Sequence, residues 1–268
     1  MAGISSKEEN FIATLGEKGI RVFTVDEATE LFNTSKPMMN KLVHQLVKKR
    51  KLQRIQRGKY LVIPPVAWKT GRFTEEGVII ASYLVEPYYI GYWTALDFYG
   101  WTEQPSSTVF IASTKLKRPV ELQGTKFKFI KLRPERFFGF EEHWVGNQKV
   151  VVAEKEKTIA DCLDQPRYCG EIVEAAKGIW NGREDINFET VLKYALRMKN
   201  GAIIKRLGYL MDVLGIEKPS FRNKLKRHIG YDYLSLDPHG KASGSEVNKE
   251  WRIRINVDPK NLTEWITH

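Results

Sequence analysis

Apolar residues recur at helical spacing through the first third of the chain. Ser6 and Glu9 have the spacing of a capping box, and Phe11, Ile12 and Leu15 form one apolar side before Gly16 and Gly19. Thr24 and Glu27 repeat that signature, with Val25, Ala28, Leu31 and Phe32 on a short second helix ending at Asn33. Thr34 and Ser35 open a third helix. Pro37 is tolerated there because the first turn lacks N–H partners, and Met39, Leu42, Val43 and Leu46 make the stripe expected to be buried. The pattern then shortens: Leu52 to Ile55 and Tyr60 to Ile63 read as two strands around the turn Gln56-Arg57-Gly58-Lys59. Three helices followed by a hairpin predict a winged helix-turn-helix.

Pro64-Pro65 cannot extend a strand ladder, and Lys69 to Phe73 reads as a connector, which puts a domain boundary near residue 70. Beyond it the pattern predicts helices near Glu75 to Leu84 and Tyr92 to Tyr99. β-rich runs follow at 109–112, 127–130 and 150–152, then amphipathic helices after Glu154 and a late strand at Trp251 to Ile255. The expected fold class is α+β: a winged helix-turn-helix DNA-binding domain over 1–69 and a larger mixed α+β domain over 70–268. There is no basic start and apolar run of a signal peptide, and no stretch approaches the roughly 18 apolar residues of a membrane span, so a cytoplasmic protein without membrane contact is expected.

Charge changes this picture. Between Glu30 and Glu75 there is no Asp or Glu, yet eleven Lys and Arg, which matches the net charge of +11 for the whole chain. The remainder is neutral, so the basic excess is local and implies a local polyanionic partner. If the third helix enters a DNA major groove, Ser35, Lys36, Asn40, Lys41, His44 and Lys48 point outward toward base edges or phosphates. Asn pairs with adenine and Lys donates to guanine, which makes Asn40 and Lys41 the candidate readers of sequence. Arg54, Arg57 and Lys59 on the hairpin are expected on phosphate or in the minor groove. The competing reading is a protein-interaction module whose charged face is merely solvated, with Lys48 to Lys51 complementing a helix dipole.

Lys126 to Lys131 alternates lysine with apolar residues, which in a strand predicts one basic and one buried face. With Lys115, Lys117, Arg118 and Arg133 nearby, Lys126, Lys128 and Lys131 form a candidate second anion-binding surface. Lys205, Arg206, Arg222, Lys224, Lys226 and Arg227 read either as a solvated helix face or as further contacts to DNA backbone or an acidic protein.

Motifs for catalysis are missing. No Glu-x-Lys, Asp-x-Asp, P-loop, G-x-G-x-x-G or G-x-S-x-G occurs, and the histidines at 44, 143, 228, 239 and 268 have no metal-ligand spacing. Cys162 and Cys169 read as reduced core residues. Asp161 and Asp164, beside Lys157, read as ordinary helix-surface or capping groups. No catalytic residue, cofactor or metal is therefore expected.

Several segments resemble the AbiEi family, antitoxins and transcriptional repressors of type IV toxin-antitoxin systems associated with phage defence. They are Arg57-Gly58-Lys59-Tyr60; Tyr89 to Leu96 with Tyr99-Gly100-Trp101; Val151 to Cys162; Arg206-Leu207-Gly208-Tyr209-Leu210; and Leu236-Asp237-Pro238 with Trp251. The resemblance spans nearly the whole chain. It implies a DNA-binding autorepressor of its own promoter, on double-stranded DNA with inverted repeats bound by monomers or a weak dimer. It also implies an antitoxin that counteracts, directly or indirectly, a nucleotidyltransferase-like toxin encoded beside it. Two other readings stand beside it. One is a stand-alone regulator whose Tyr88, Tyr89, Tyr92, Trp93 and Trp101 sense a small ligand. The other is a nucleic-acid enzyme whose ligands, such as Glu154 and Asp161, converge only in three dimensions.

Overall fold

A computed structural model describes residues 5–63, 77–104, 106–122, 124–146, 148–240 and 246–267. The protein is mixed α+β with several sheets. The segments expected to end the first domain and connect it to the second, with the boundary near residue 70 and the start of the helix at Glu75, lie outside the described residues.

Helix α1 (Ser6–Glu17) is capped one residue earlier than its sequence spacing suggests. Ser5 accepts from the Glu8 N–H and the Glu8 carboxylate accepts from the Ser5 N–H, so the box is Ser5/Glu8 and not Ser6/Glu9. The shift has a packing reason, since Glu8 is buried and its carboxylate takes the Lys49 ammonium at 2.7 Å. Strand β1 (Val22–Thr24) leads into helix α2 (Val25–Leu31), where the Thr24/Glu27 box forms as expected. Helix α3 (Lys36–Lys48) buries Met39, Val43 and Leu46, with Leu42 half-buried. Strands β2 (Leu52–Gln56) and β3 (Lys59–Val62) form the expected hairpin around Gly58, whose φ of +73° suits glycine. β1 joins β3 antiparallel, giving the order β1-β3-β2. A three-residue strand is too short to show a period, and β1 was not foreseen.

Helix α4 (Gly77–Ser82) precedes a six-stranded mixed sheet in the order β6-β7-β5-β4-β9-β8. Its strands are β4 (Tyr89–Ile90), β5 (Thr108–Ser113), β6 (Val120–Leu122), β7 (Thr125–Lys131), β8 (Phe140–Val145) and β9 (Gln148–Ala153). Helix α5 (Tyr92–Phe98) crosses from β4 to β5. The C-terminal part is a helical layer: α6 (Lys155–Asp164), α7 (Glu171–Asn181), α8 (Phe188–Arg197), α9 (Gly201–Val213) and α10 (Pro219–Lys226). A small sheet follows, β10-β12-β11, from β10 (Leu234–Ser235), β11 (Glu246–Asn248) and β12 (Ile253–Ile255). No helix among the described residues is long and apolar enough to cross a membrane.

α6 is the hinge of the packing because every residue from Lys157 to Leu163 is buried, between the large sheet and the later helices. A second close contact is at Gly208 in α9. A Cβ there would fall on the Trp251 ring, and that indole is fully buried with its N–H donating to Asp212 at 2.6 Å. Gly208→Ala is therefore expected to cost about 1–3 kcal/mol by overpacking, measured as a lower urea midpoint with unchanged slope. Stability equal to wild type would show that the ring can move aside.

Candidate nucleic-acid interface

Helix α3 separates its two chemistries by position. Its apolar stripe packs against α1, α2 and β2, which leaves Lys36, Asn40, Lys41, His44, Gln45 and Lys48 exposed on the other side, with Ser35 exposed at the N-cap. Ser35 makes no side-chain cap hydrogen bond, so its hydroxyl is available at the helix N-terminus, where N–H groups favour an anion. Lys36 makes an exposed ion pair with Asp26 at 2.6 Å. Such a pair is worth little and is readily exchanged for a phosphate. Lys41, Lys48 and Arg57 make no ion pair among the described residues. Met38, 60% exposed beside these groups, was missed by sequence reasoning because an apolar side chain off the buried stripe carries no polar signal.

The hairpin residues divide. Arg54 and Arg57 are exposed, with Arg54 Nε donating to the Gln56 carbonyl at 3.3 Å. Lys59 instead turns inward and donates to the Tyr83 carbonyl at 3.2 Å, just past α4. Lys117 joins it, donating to the Leu84 carbonyl and, at 3.2 Å, to Gln56 Oε1. Burial, and then the neighbouring Lys59 charge, hold the Lys117 ammonium below its ordinary pKa. These two lysines thus tie the hairpin to the larger sheet.

The remaining lysines of the second basic surface are less uniform than expected. Lys115, Arg118, Lys126, Lys128, Lys131 and Arg133 are exposed. Along β7, Lys126 and Lys128 share strand parity with the buried Ile130, whereas Lys131 shares it with Phe127 and Phe129, so the three lysines do not form one face. Lys128 lies 4.8 Å from the Tyr168 ring centroid, a cation–π contact.

The third basic set is mostly paired within the chain, although Arg227 is exposed. Lys205 and Arg206 are buried, contrary to both readings of them as surface residues. Lys205 pairs with Asp232 at 3.0 Å, and Arg206 donates to the carbonyls of Leu163, Ser235 and Leu236. Arg222 pairs with Asp212 at 2.8 Å, Lys224 with Glu189 at 2.6 Å, and Lys226 with Glu250. Helical periodicity marks such residues as polar but cannot show which partner the fold brings.

Asp161 likewise departs from the helix-surface expectation. It is fully enclosed, with Oδ1 accepting from the Lys157 ammonium and Oδ2 from the Tyr89 hydroxyl at 2.8 Å. Lys157 also donates to that hydroxyl at 3.0 Å. Burial pushes the Asp161 carboxyl up from its ordinary range, with Lys157 and Tyr89 pulling it back. Asp164 bonds Arg136 at 3.0 Å and Asn200, and Glu154 accepts from Tyr194. Of the aromatic residues offered as a ligand sensor, Tyr89, Tyr92 and Trp101 are core, buried against Phe137, Phe140, Tyr168 and Tyr99, whereas Tyr88 and Trp93 are half-buried.

No protein-family model and no curated protein matches the chain. Among solved structures it is similar to the crystal structure of RV2827C protein from Mycobacterium tuberculosis, with a TM-score of 0.73 and 12% identity over 100% of this chain and 97% of that one. At that identity the likeness concerns the fold, and it takes in all of this chain and nearly all of the other.

Proposed function

We propose that residues 5–63 act as a winged helix-turn-helix that reads double-stranded DNA at the protein's own promoter, and that the chain is a transcriptional autorepressor and antitoxin of the AbiEi type. The observation that carries the DNA reading is α3: one side is core, and the other presents Lys36, Asn40, Lys41, His44 and Lys48 with no acidic residue on the helix. Asn40 and Lys41 are the base readers, and the exposed Met38 fits a thymine methyl. Arg54 and Arg57 hold phosphate on the wing, and Ser35, Lys36 and Lys48 hold phosphate along the helix. Lys59 and Lys117 act at one remove, fixing the wing to the large sheet. Lys126 and Lys128 offer a second phosphate contact.

The antitoxin half of the proposal rests on the resemblance and on the internal use of the acidic residues. Asp161 and Glu154 are bonded to Lys157, Tyr89 and Tyr194 and not presented to a substrate, which favours a binding protein over a nucleic-acid enzyme. The test is growth of cells expressing the adjacent gene alone and with this full-length chain. The expected result is arrest by the neighbour and recovery with the chain. A neighbour that never arrests growth removes the antitoxin role and leaves the DNA-binding role to be judged separately.

A further inference from the structure

We propose that Glu171, Asp237 and His239 hold a divalent transition-metal ion, zinc in preference to magnesium. One ligand atom from each lies within 4.8 Å of the others, although the three come from the start of α7 and the loop after β10. Asp237 is the fixed member. It is 5% exposed, its carboxylate accepts the His239 N–H at 2.8 Å, and its own N–H and carbonyl are both bonded by the Asn256 side chain, at 3.0 and 2.8 Å. Glu171 and His239 are exposed, so the group opens to solvent. Gly170 and Glu171 are consecutive left-handed residues, at φ +84° and +67°, where the chain turns into α7.

Charge balance points the same way. Glu171 and Asp237 bring carboxylate oxygens within 4.8 Å of one another. A lysine or arginine would be the ordinary neutraliser of such a pair. Among the described residues neither carboxylate makes an ion pair with one. Arg206 directs its N–H groups to the carbonyls of Leu163, Ser235 and Leu236. A dication is the complement that the two carboxylates and one imidazole share.

The donor set fixes the class of ion. Magnesium and calcium favour oxygen ligands alone, whereas zinc and manganese take imidazole together with carboxylate. Three protein donors leave a coordination position for water. The His239 backbone N–H bonds the Asp237 carboxylate directly, as outer-shell donors to ligating carboxylates do, and Asn256 holds the Asp237 peptide that carries it. The inference is independent of the DNA and antitoxin readings, because it uses residues remote in sequence from α3 and the hairpin.

The experiment is calorimetric titration of the metal-stripped full-length protein with zinc and, separately, magnesium. The wild type should take one zinc per chain and bind it well above magnesium. Glu171→Gln and His239→Ala should each weaken zinc by more than the roughly 10- to 100-fold that loss of an outer-shell partner costs, and His228→Ala should leave it unchanged. Thermal melts without metal should coincide for wild type and both variants, since both side chains are exposed, and zinc should raise the melting temperature of the wild type but not of the Glu171→Gln/His239→Ala double variant. His239→Asn serves as the second imidazole-free variant should His239→Ala melt early. Absence of zinc binding, equal zinc binding by wild type and double variant, or magnesium binding as tight as zinc would each overturn the proposal.

Discussion

Asp161→Ala is expected to destabilise the protein by about 3–5 kcal/mol, the penalty for leaving a buried charge without its partner. Lys157 is fully buried, and its ammonium has Asp161 as its one anionic contact among the described residues, the Tyr89 hydroxyl as a neutral one, and the Tyr89 and Phe138 rings on its flanks. Removing Asp161 leaves that charge in an apolar enclosure and takes away the acceptor for the Tyr89 hydroxyl. The pair also joins β4, at Tyr89, to α6, so its loss loosens the contact between the large sheet and the helical layer. Urea unfolding would measure it. The double replacement Asp161→Leu/Lys157→Met should be far less costly than Asp161→Ala, because a buried pair exchanged for apolar residues of similar size is often neutral. A cost below about 1 kcal/mol for Asp161→Ala would mean that water reaches Lys157.

Asn40→Ala and Lys41→Ala are expected to act differently from Arg57→Ala on DNA. Each of the first two should remove about 1–3 kcal/mol of discrimination at one base pair while leaving random DNA bound almost as before. Arg57→Ala should weaken specific and random DNA together and lower the salt slope of log K by about one. Binding isotherms on operator and scrambled duplexes at several salt concentrations separate the two behaviours. Equal losses on both duplexes for all three variants would contradict the assignment of α3 to base reading and the wing to phosphate.

Elements with a long period or a strong cap were legible in the sequence. The stripe Met39, Val43 and Leu46 placed α3, and through it the exposed Asn40, Lys41 and His44. The alternation around Gly58 placed the hairpin. Short strands such as β1, β4 and β10 left no trace because two or three residues cannot establish a period. Charged side chains were the least legible. Lys59, Lys117, Lys205 and Arg206 all read as surface cations, and each is drawn inward by a carbonyl or carboxylate from a distant segment. Sequence spacing describes neighbours within one element, whereas these bonds join different elements. His239 was set aside for the same reason, since its third companion, Glu171, meets His239 and Asp237 only where the start of α7 approaches the loop after β10.

Whether the full-length protein binds the DNA upstream of its own gene through α3 decides the proposed function. Fluorescence anisotropy at near-physiological salt, comparing that duplex with a scrambled one for wild type and for Asn40→Ala/Lys41→Ala, is the decisive measurement. The expected result is a preference of at least about 10³-fold for the upstream duplex in the wild type, largely lost in the double variant while binding to the scrambled duplex persists. Equal affinity of the wild type for both duplexes, or a preference undisturbed by the double variant, would contradict it.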